Sequence, residues 1–312
     1  MSSSHRPLIA VVGASGHQGG GVVRALEAGH QFRVRALSRA PRKHRGLADE
    51  VREGDLDRAD TLEAAFAGAH GVFLVTNNWA EGTDEIKQAT TAVRAAKEAG
   101  VKHLIWSTLP NVEAISSGRF RVPHFTGKAK VDRIVKEAGF VHHTFVVAPF
   151  YYQNLLGVLA PQTLAEGSPG WTLPIDPAVR CIHMGDIGEL GGIVAGAFGR
   201  PDQAGNGEYL PLVGDFLSFN EIVDVLNRQG HQFSFKQVPE AIFATLFLGA
   251  AEIAQTLRYF QTHTYLGSDL SDGIALANRV AGRPPTTFST WAQTNFPAAA
   301  LSPVSQQQGE TR

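Results

Sequence analysis

The stretch LIAVVGASGHQGGGVVRALEAG, residues 8–29, decides the fold. It opens on LIAVVG (8–13), an apolar run closed by glycine, and it ends on HQGGGVVRALEAG (17–29), which reads as a helix. Between them, GASGHQGGG (13–21) spaces Gly13, Gly16 and Gly19 as G-x-x-G-x-x-G. In a strand–turn–helix unit, the first glycine permits the tight turn and the second lets the backbone approach a pyrophosphate. The third lets helix and strand pack closely. The helix start then offers free N–H groups and the positive end of its dipole to phosphates. A glycine-rich turn without a ligand is the alternative; the strand before it and the helix after it favour the phosphate loop. Ser15, His17 and Gln18 stand between the glycines and count with them as candidate cofactor contacts.

Outward from this unit the chain alternates. FRVRALS (32–38) reads as a strand, VREGD (51–55) as a short one, TLEAAFAG (61–68) as a helix and GVFLVT (71–76) as a buried strand. TDEIKQATTAVRAAKEAG (83–100) is a long amphipathic helix stopped by Gly100, and HLIWST (103–108) is a strand. VPHFTGKAKVDRIVKEAG (122–139) is a helix with Pro123 near its start, and HHTFVVAP (142–149) follows as a strand. Apolar strands of the fully buried kind, alternating with helices, predict a parallel sheet covered on both faces, with ligands at the carboxyl ends of the strands. The fold class is therefore α/β: a Rossmann, doubly wound parallel sheet over residues 1–150. After Pro149 the rhythm breaks into PFYYQNLL (149–156), PGWTLPIDP (169–177) and helices near 186–199, 219–229 and 240–260. These predict a smaller, irregular α/β lobe over 151–297 that completes the cleft, and a disordered Gln/Ser/Ala-rich tail over 298–312.

Composition narrows the function. The chain has 312 residues, 43% apolar and 18% charged, with 28 Lys plus Arg against 29 Asp plus Glu. A net charge of -1 gives no overall reason to bind nucleic acid or anionic lipid. No apolar run reaches membrane-spanning length; the longest, AIFATLFLGAAEIA (241–254), is interrupted by Glu252. The single cysteine, Cys181, permits no intramolecular disulfide and suits a cytoplasmic location. The 12 histidines show no metal spacing, and His142 and His143, adjacent on a strand, point to opposite faces.

The end of the second strand separates NAD from NADP. An NAD site places an acid there to accept from the ribose 2′-OH. LSRAPRKHRG (37–46) has none: Ser38 and Arg39 stand in its place, followed by Arg42, Lys43 and Arg45. A guanidinium there can pair with a 2′-phosphate and stack on adenine. NADP(H) is therefore expected over NAD(H), a solvated basic turn being the other reading. Asp55-Leu56-Asp57 follows the third strand, where Leu56 would lie against adenine, and Asp60 reads as a helix cap.

In order and spacing, GASGHQGG (13–20), FLVTNNW (73–79), IWSTLPN (105–111), VPHFTGKAKVD (122–132) and APFYYQNLL (148–156) resemble the NmrA-like, HSCARG-type branch of the atypical short-chain dehydrogenase/reductases. The resemblance runs over roughly residues 7–297 and is strongest before 160. It implies a Rossmann domain, a small second lobe and a bound dinucleotide. It also implies two kinds of activity: sensors of the cofactor's redox state that contact transcription-related or signalling partners, and reductases of quinones, dyes or phenylpropanoids.

Active short-chain dehydrogenases usually carry Tyr-x-x-x-Lys, in which the tyrosine exchanges a proton with the substrate and the lysine lowers its pKa and holds the nicotinamide ribose. Here His124-Phe125-Thr126-Gly127-Lys128 keeps the lysine and replaces the tyrosine. The resemblance thus puts Lys128 on the ribose. His124 either acts as a general acid, since imidazole titrates near neutrality, or packs beside the nicotinamide. Ser107 and Thr108 stand where the family's hydroxyl partner would be, and could equally cap a turn. Thr76, Asn77, Asn78, Pro149, Tyr151 and Asn154 complete the expected cofactor wall; Tyr151 and Tyr152 could lend a phenol or simply pack. The sequence reads as an NADP(H)-binding, redox-responsive sensor or regulator with little turnover. An NADPH-dependent reductase of a small carbonyl, quinone or imine is the alternative, and a scaffold with a vestigial site is the third reading. The expected partners are the dinucleotide and either a small-molecule substrate or a protein, without direct contact to nucleic acid or membrane.

Overall fold

The computed structural model describes residues 6–78 and 82–296. Trp79, which closes the TNNW motif, and the 298–312 tail lie outside the described residues. The first half alternates as the sequence predicts: β1 (Leu8–Val11), α1 (His17–Gly29), β2 (Arg33–Ser38), β3 (Glu50–Glu53), α2 (Ala59–Phe66), β4 (Gly71–Leu74), α3 (Glu85–Glu98), β5 (His103–Thr108), α4 (Val112–Ile115), α5 (Pro123–Glu137) and β6 (His142–Val147). The second half holds β7 (Phe150–Tyr151), β8 (Gln162–Thr163), β9 (Pro169–Leu173), β10 (Ile182–Gly185), α6 (Leu190–Gly199), α7 (Pro201–Ala204) and β11 (Asn206–Pro211). It continues with β12 (Asp215–Leu217), α8 (Phe219–Arg228), β13 (Ser234–Gln237), α9 (Glu240–Phe243), α10 (Ala250–His263), α11 (Ser271–Ala281) and α12 (Phe288–Asn295).

Among the described residues, seven strands form one parallel sheet in the order β11-β6-β5-β4-β1-β2-β3. The order reverses between β1 and β4, the switch point at which doubly wound sheets open a crevice. Every residue of β1, β4 and β5 is buried, because both faces of the sheet are covered. Side chains alternate between two cores: Ile9 and Val11 pack with α1, α6 and α11, whereas Ala10 and Val12 pack with α2, α3 and α5. The chain thus returns to the Rossmann sheet after residue 150, supplying its outer strand β11 and two of its covering helices. A third core lies beneath two three-stranded sheets, β12-β10-β7 and β13-β9-β8.

The seam between α1 and α6 brings two backbones together. A Cβ at Gly191 would lie 2.1 Å from the Gly21 carbonyl oxygen, and one at Gly21 would lie 2.8 Å from that of Gly188. Two local readings of the sequence are corrected. The helix predicted over 240–260 is broken into α9 and α10, because Gly249 adopts a left-handed φ of 92°. Asp60 is not a cap: it sits inside the first turn of α2 and pairs with Arg58 at 2.8 Å. No helix among the described residues is long and apolar enough to cross a membrane.

Candidate cofactor site

The carboxyl ends of β1, β2, β4, β5 and β6 surround the glycine loop. Gly13 holds φ 69°, and a Cβ there would meet Val75 at 2.8 Å, so this turn selects glycine twice over. A Cβ at Gly19 would lie 2.2 Å from the Gly13 carbonyl oxygen, which explains the close seat of α1 on its loop. Gly16 is the N-cap of α1 and closes the turn by donating its N–H to the Gly13 oxygen at 2.9 Å. Having no side chain, Gly16 leaves the first-turn N–H groups of α1 uncapped, whereas Asp84 caps α3 and Ser218 caps α8. Gly13, Ser15, Gly16 and His17 are exposed on the loop.

Gln18 ties the loop to the neighbouring strands. Its Nε2 donates to the Tyr151 hydroxyl at 2.8 Å, and its Oε1 accepts from the fully buried Ser107 hydroxyl at 2.6 Å. Burial raises the Tyr151 phenol above its ordinary value, against the effect of the Gln18 bond. Tyr152 faces away, into the third core, with its hydroxyl 3.1 Å from both an Asp215 carboxylate oxygen and the Thr286 carbonyl. It packs and does not lend a phenol to this cleft. Thr108 donates to the Leu109 carbonyl at 3.3 Å.

Lys128 sits one turn beyond His124 on α5, buried under the end of β4. Its Nζ donates to the Thr76 carbonyl and hydroxyl, each at 3.0 Å, and to Glu85 Oε1 at 2.7 Å. All three ammonium hydrogens therefore have acceptors within the protein. The Thr76 hydroxyl in turn donates to the same carboxylate oxygen at 2.6 Å. Burial lowers the Lys128 pKa and Glu85 opposes that shift. Glu85 is only 5% exposed, and its Oε2 has no partner among the described residues. His124 Nδ1 lies 2.6 Å from Glu252 Oε1, which joins α5 to α10. Burial lowers the imidazole pKa, while the bond to Glu252 raises it.

Glu85 and Glu252 were not legible as site residues. Glu85 looks like an ordinary helix-start acid beside its cap Asp84, and Glu252 lies 128 positions from its partner.

The remaining candidates line the rim. Ser38 is buried and accepts from the Ala40 N–H at 3.0 Å, whereas Arg39 and Lys43 are exposed beyond the end of β2. Asp55 accepts from the Asp57 N–H at 3.1 Å, and Leu56 packs at the edge of the α2–α3 core. Asn77 is exposed, Asn78 and Asn154 are half-buried, and Pro149 is buried beside Gly185. Among the described residues, no group of three or more His, Cys, Asp or Glu could hold a metal ion.

Fold, glycine loop and the His124–Lys128 turn together define a dinucleotide-type α/β protein. Residues 5–292 match the NmrA-like family, and the chain belongs to it. An NmrA-like family domain-containing protein of Dictyostelium discoideum is 30% identical over 233 residues, 70% of this chain and 76% of its own. The NmrA-like family domain-containing oxidoreductase notA of an Aspergillus species is 28% identical over 256 residues, 73% of this chain and 74% of its own. Of solved structures, the negative transcriptional regulator NmrA, in complex with NADP, is similar at a TM-score of 0.76 and 22% identity, over 94% of this chain and 96% of its own. The NADPH-dependent quinone oxidoreductase QOR2 of Escherichia coli is similar at 0.74 and 21% identity, over 93% of this chain and all of its own. At these identities the two structures share the fold.

Proposed function

We propose that this protein binds NADP(H) along the carboxyl edge of its sheet and acts as a redox-responsive regulator with little or no turnover. The observation that carries this reading is the state of Lys128. In Tyr-x-x-x-Lys the lysine's charge acidifies the phenol. Here there is no phenol at that position, and the charge is met by Glu85 and Thr76. Dinucleotide binding is supported by the uncapped helix start behind Gly16, and by fold relatives solved with NADP, NAD or NADPH. The preference for NADP(H) rests on the exposed Arg39 at the acid-free end of β2. Ser15, His17, Gln18, Ser107, Tyr151 and the amides of Asn77, Asn78 and Asn154 are the proposed wall.

Calorimetric titration with oxidised and reduced NADP and NAD, followed by NADPH absorbance over a carbonyl and quinone panel, tests the proposal. The expected result is binding that differs between oxidised and reduced NADP, without oxidation of NADPH. Robust turnover abolished by His124→Ala would overturn it.

One observation favours the alternative, an NADPH-dependent reductase of a small carbonyl, quinone or imine. A carboxylate on one nitrogen of His124 fixes its tautomer and raises its basicity, as a proton donor requires. The relative notA is named an oxidoreductase.

A further inference from the structure

Large apolar side chains on the surface gather at one place. Eight are exposed among the described residues, and four of them, Ile242, Leu246, Phe247 and Leu248, fall within residues 242–248, between the end of α9 and the start of α10. Leu248 is wholly exposed and the other three are more than half exposed. No charged residue interrupts the chain from Glu240 to Glu252. Single exposed apolar residues are ordinary, whereas a contiguous group marks a surface that something covers.

The position of this tip indicates what covers it. At one end Phe243 is buried in the third core, and Phe247 leans edge-on against it, centroids 5.7 Å apart. At the other end the left-handed Gly249 accepts from the Glu252 N–H at 3.1 Å. The Glu252 carboxylate is the one bonded to His124, and Lys128 follows one turn further along α5. A single turn of α10 therefore joins the tip to the end of the cleft that carries the His124–Lys128 turn. Among the described residues, the hydrogen bonds of residues 244–249 all close within 240–253, so none ties the tip to the rest of the fold. A short turn held at its two ends, with a glycine at one of them, is the usual build of a lid.

A bound molecule moves such a lid only if it interacts differently with the open and the closed form. The two redox states of a nicotinamide differ in charge: the oxidised ring is a cation and the reduced ring is neutral. Covering a cation with Leu and Phe side chains removes its water and returns no partner, whereas a neutral ring loses little. The two carboxylates at this end of the cleft do not offset that cost, because Glu85 is bonded to Lys128 and Glu252 to His124.

We infer that the 242–249 tip is a lid that closes over the nicotinamide end of a bound dinucleotide when the ring is reduced, and stands open when it is oxidised. The inference rests on the NADP(H) reading of the cleft, and it supplies the part of the chain that reads the redox state.

Leu248→Cys, labelled with a polarity-sensitive nitrobenzoxadiazole dye, reports closure at wavelengths that reduced nicotinamide does not absorb. Cys181 is buried and its thiol is pushed up to about 12, so the dye goes to position 248. Calorimetry first fixes the concentrations at which NADP and NADPH each saturate the full chain. NADPH should then raise the dye's emission, and NADP should leave it at the level of the free protein. In the unlabelled chain, Leu246→Ser/Phe247→Ser should weaken NADPH roughly tenfold and hold NADP within about twofold of the wild type, since apolar burial is lost only where the lid closes. Both side chains are more than half exposed, so replacing them opens no core. Equal emission changes with the two forms, a change with NADP alone, or no change while both are bound would overturn the lid and leave the cofactor reading standing. So would a double variant that weakens the two forms alike or not at all. Absence of binding by either form in calorimetry would overturn both.

Discussion

Lys128→Met removes the ammonium and keeps most of the aliphatic stem under Trp106, whose ring centroid lies 5.2 Å from Nζ. Glu85 is then left as a buried carboxylate, its side chain 3% exposed, with the Thr76 hydroxyl as its remaining donor. Removing one partner of a buried ion pair costs about 3–5 kcal/mol, because the other charge stays desolvated and unpaired. Glu85→Gln leaves the ammonium on neutral oxygens only and should cost a similar amount. The double variant Glu85→Gln/Lys128→Met buries no charge and keeps an acceptor for Thr76, so its loss should shrink to about 1–2 kcal/mol, the scale of the hydrogen bonds removed. Urea denaturation followed by tryptophan fluorescence at pH 7 gives the three values and their coupling. Single-variant losses below about 1 kcal/mol that simply add in the double variant would show that the pair is not formed. The account of Lys128 as an engaged charge would then fall.

Arg39→Ala should weaken NADP by roughly tenfold and leave NAD nearly unchanged, since only NADP brings a 2′-phosphate to an exposed guanidinium. Equal losses for both cofactors in calorimetry would make the 37–46 loop a solvated basic turn. Gly19→Ala forces a methyl to within 2.2 Å of the Gly13 oxygen and should abolish binding of both dinucleotides, whereas Gly29→Ala, with nothing within 4 Å, should leave both titrations alone; matching behaviour of the two variants would refute the close seat of α1. Burial pushes His103 down to about 3. The unfolded chain, with histidine near 6.5, binds a proton between those values that the native state refuses. Stability is therefore lost as pH falls from about 6.5 towards 3. His103→Gln should flatten that slope in chemical denaturation, and an unchanged slope would place the ring in water.

How much of this the sequence discloses depends on the range of the forces involved. The β1–loop–α1 unit is legible because its glycines answer local demands: a left-handed turn at Gly13 and a close approach at Gly19. The alternation up to Val147 is legible because its buried strands are built on apolar runs, LIAV in β1 and GVFL in β4. β11 escaped because NGEYLP, with Asn, Gly, Glu and Pro, carries no strand pattern; it is recruited by pairing to β6. The break at Gly249 was hidden inside an apolar run that reads as one helix. In the site, the turn carrying His124 and Lys128 could be found from spacing. Glu85 could not, because its burial arises only when α3 and α5 pack together over the end of β4.

The glycine seam between α1 and α6 bears on how the chain is made. Gly21 leaves the ribosome early, whereas the backbone it touches, at Gly188 just before α6 and at Gly191 within it, is translated about 170 residues later. At roughly 5–20 residues per second, that delay is on the order of ten to thirty seconds. Through it, Val22, Val23 and Leu26, buried in the finished protein, lack α6 and α11. A nascent chain arrested near residue 150 therefore holds its glycine loop with one sheet face still open. It should be a client of chaperones that bind exposed aliphatic side chains, and release should coincide with synthesis of the second half.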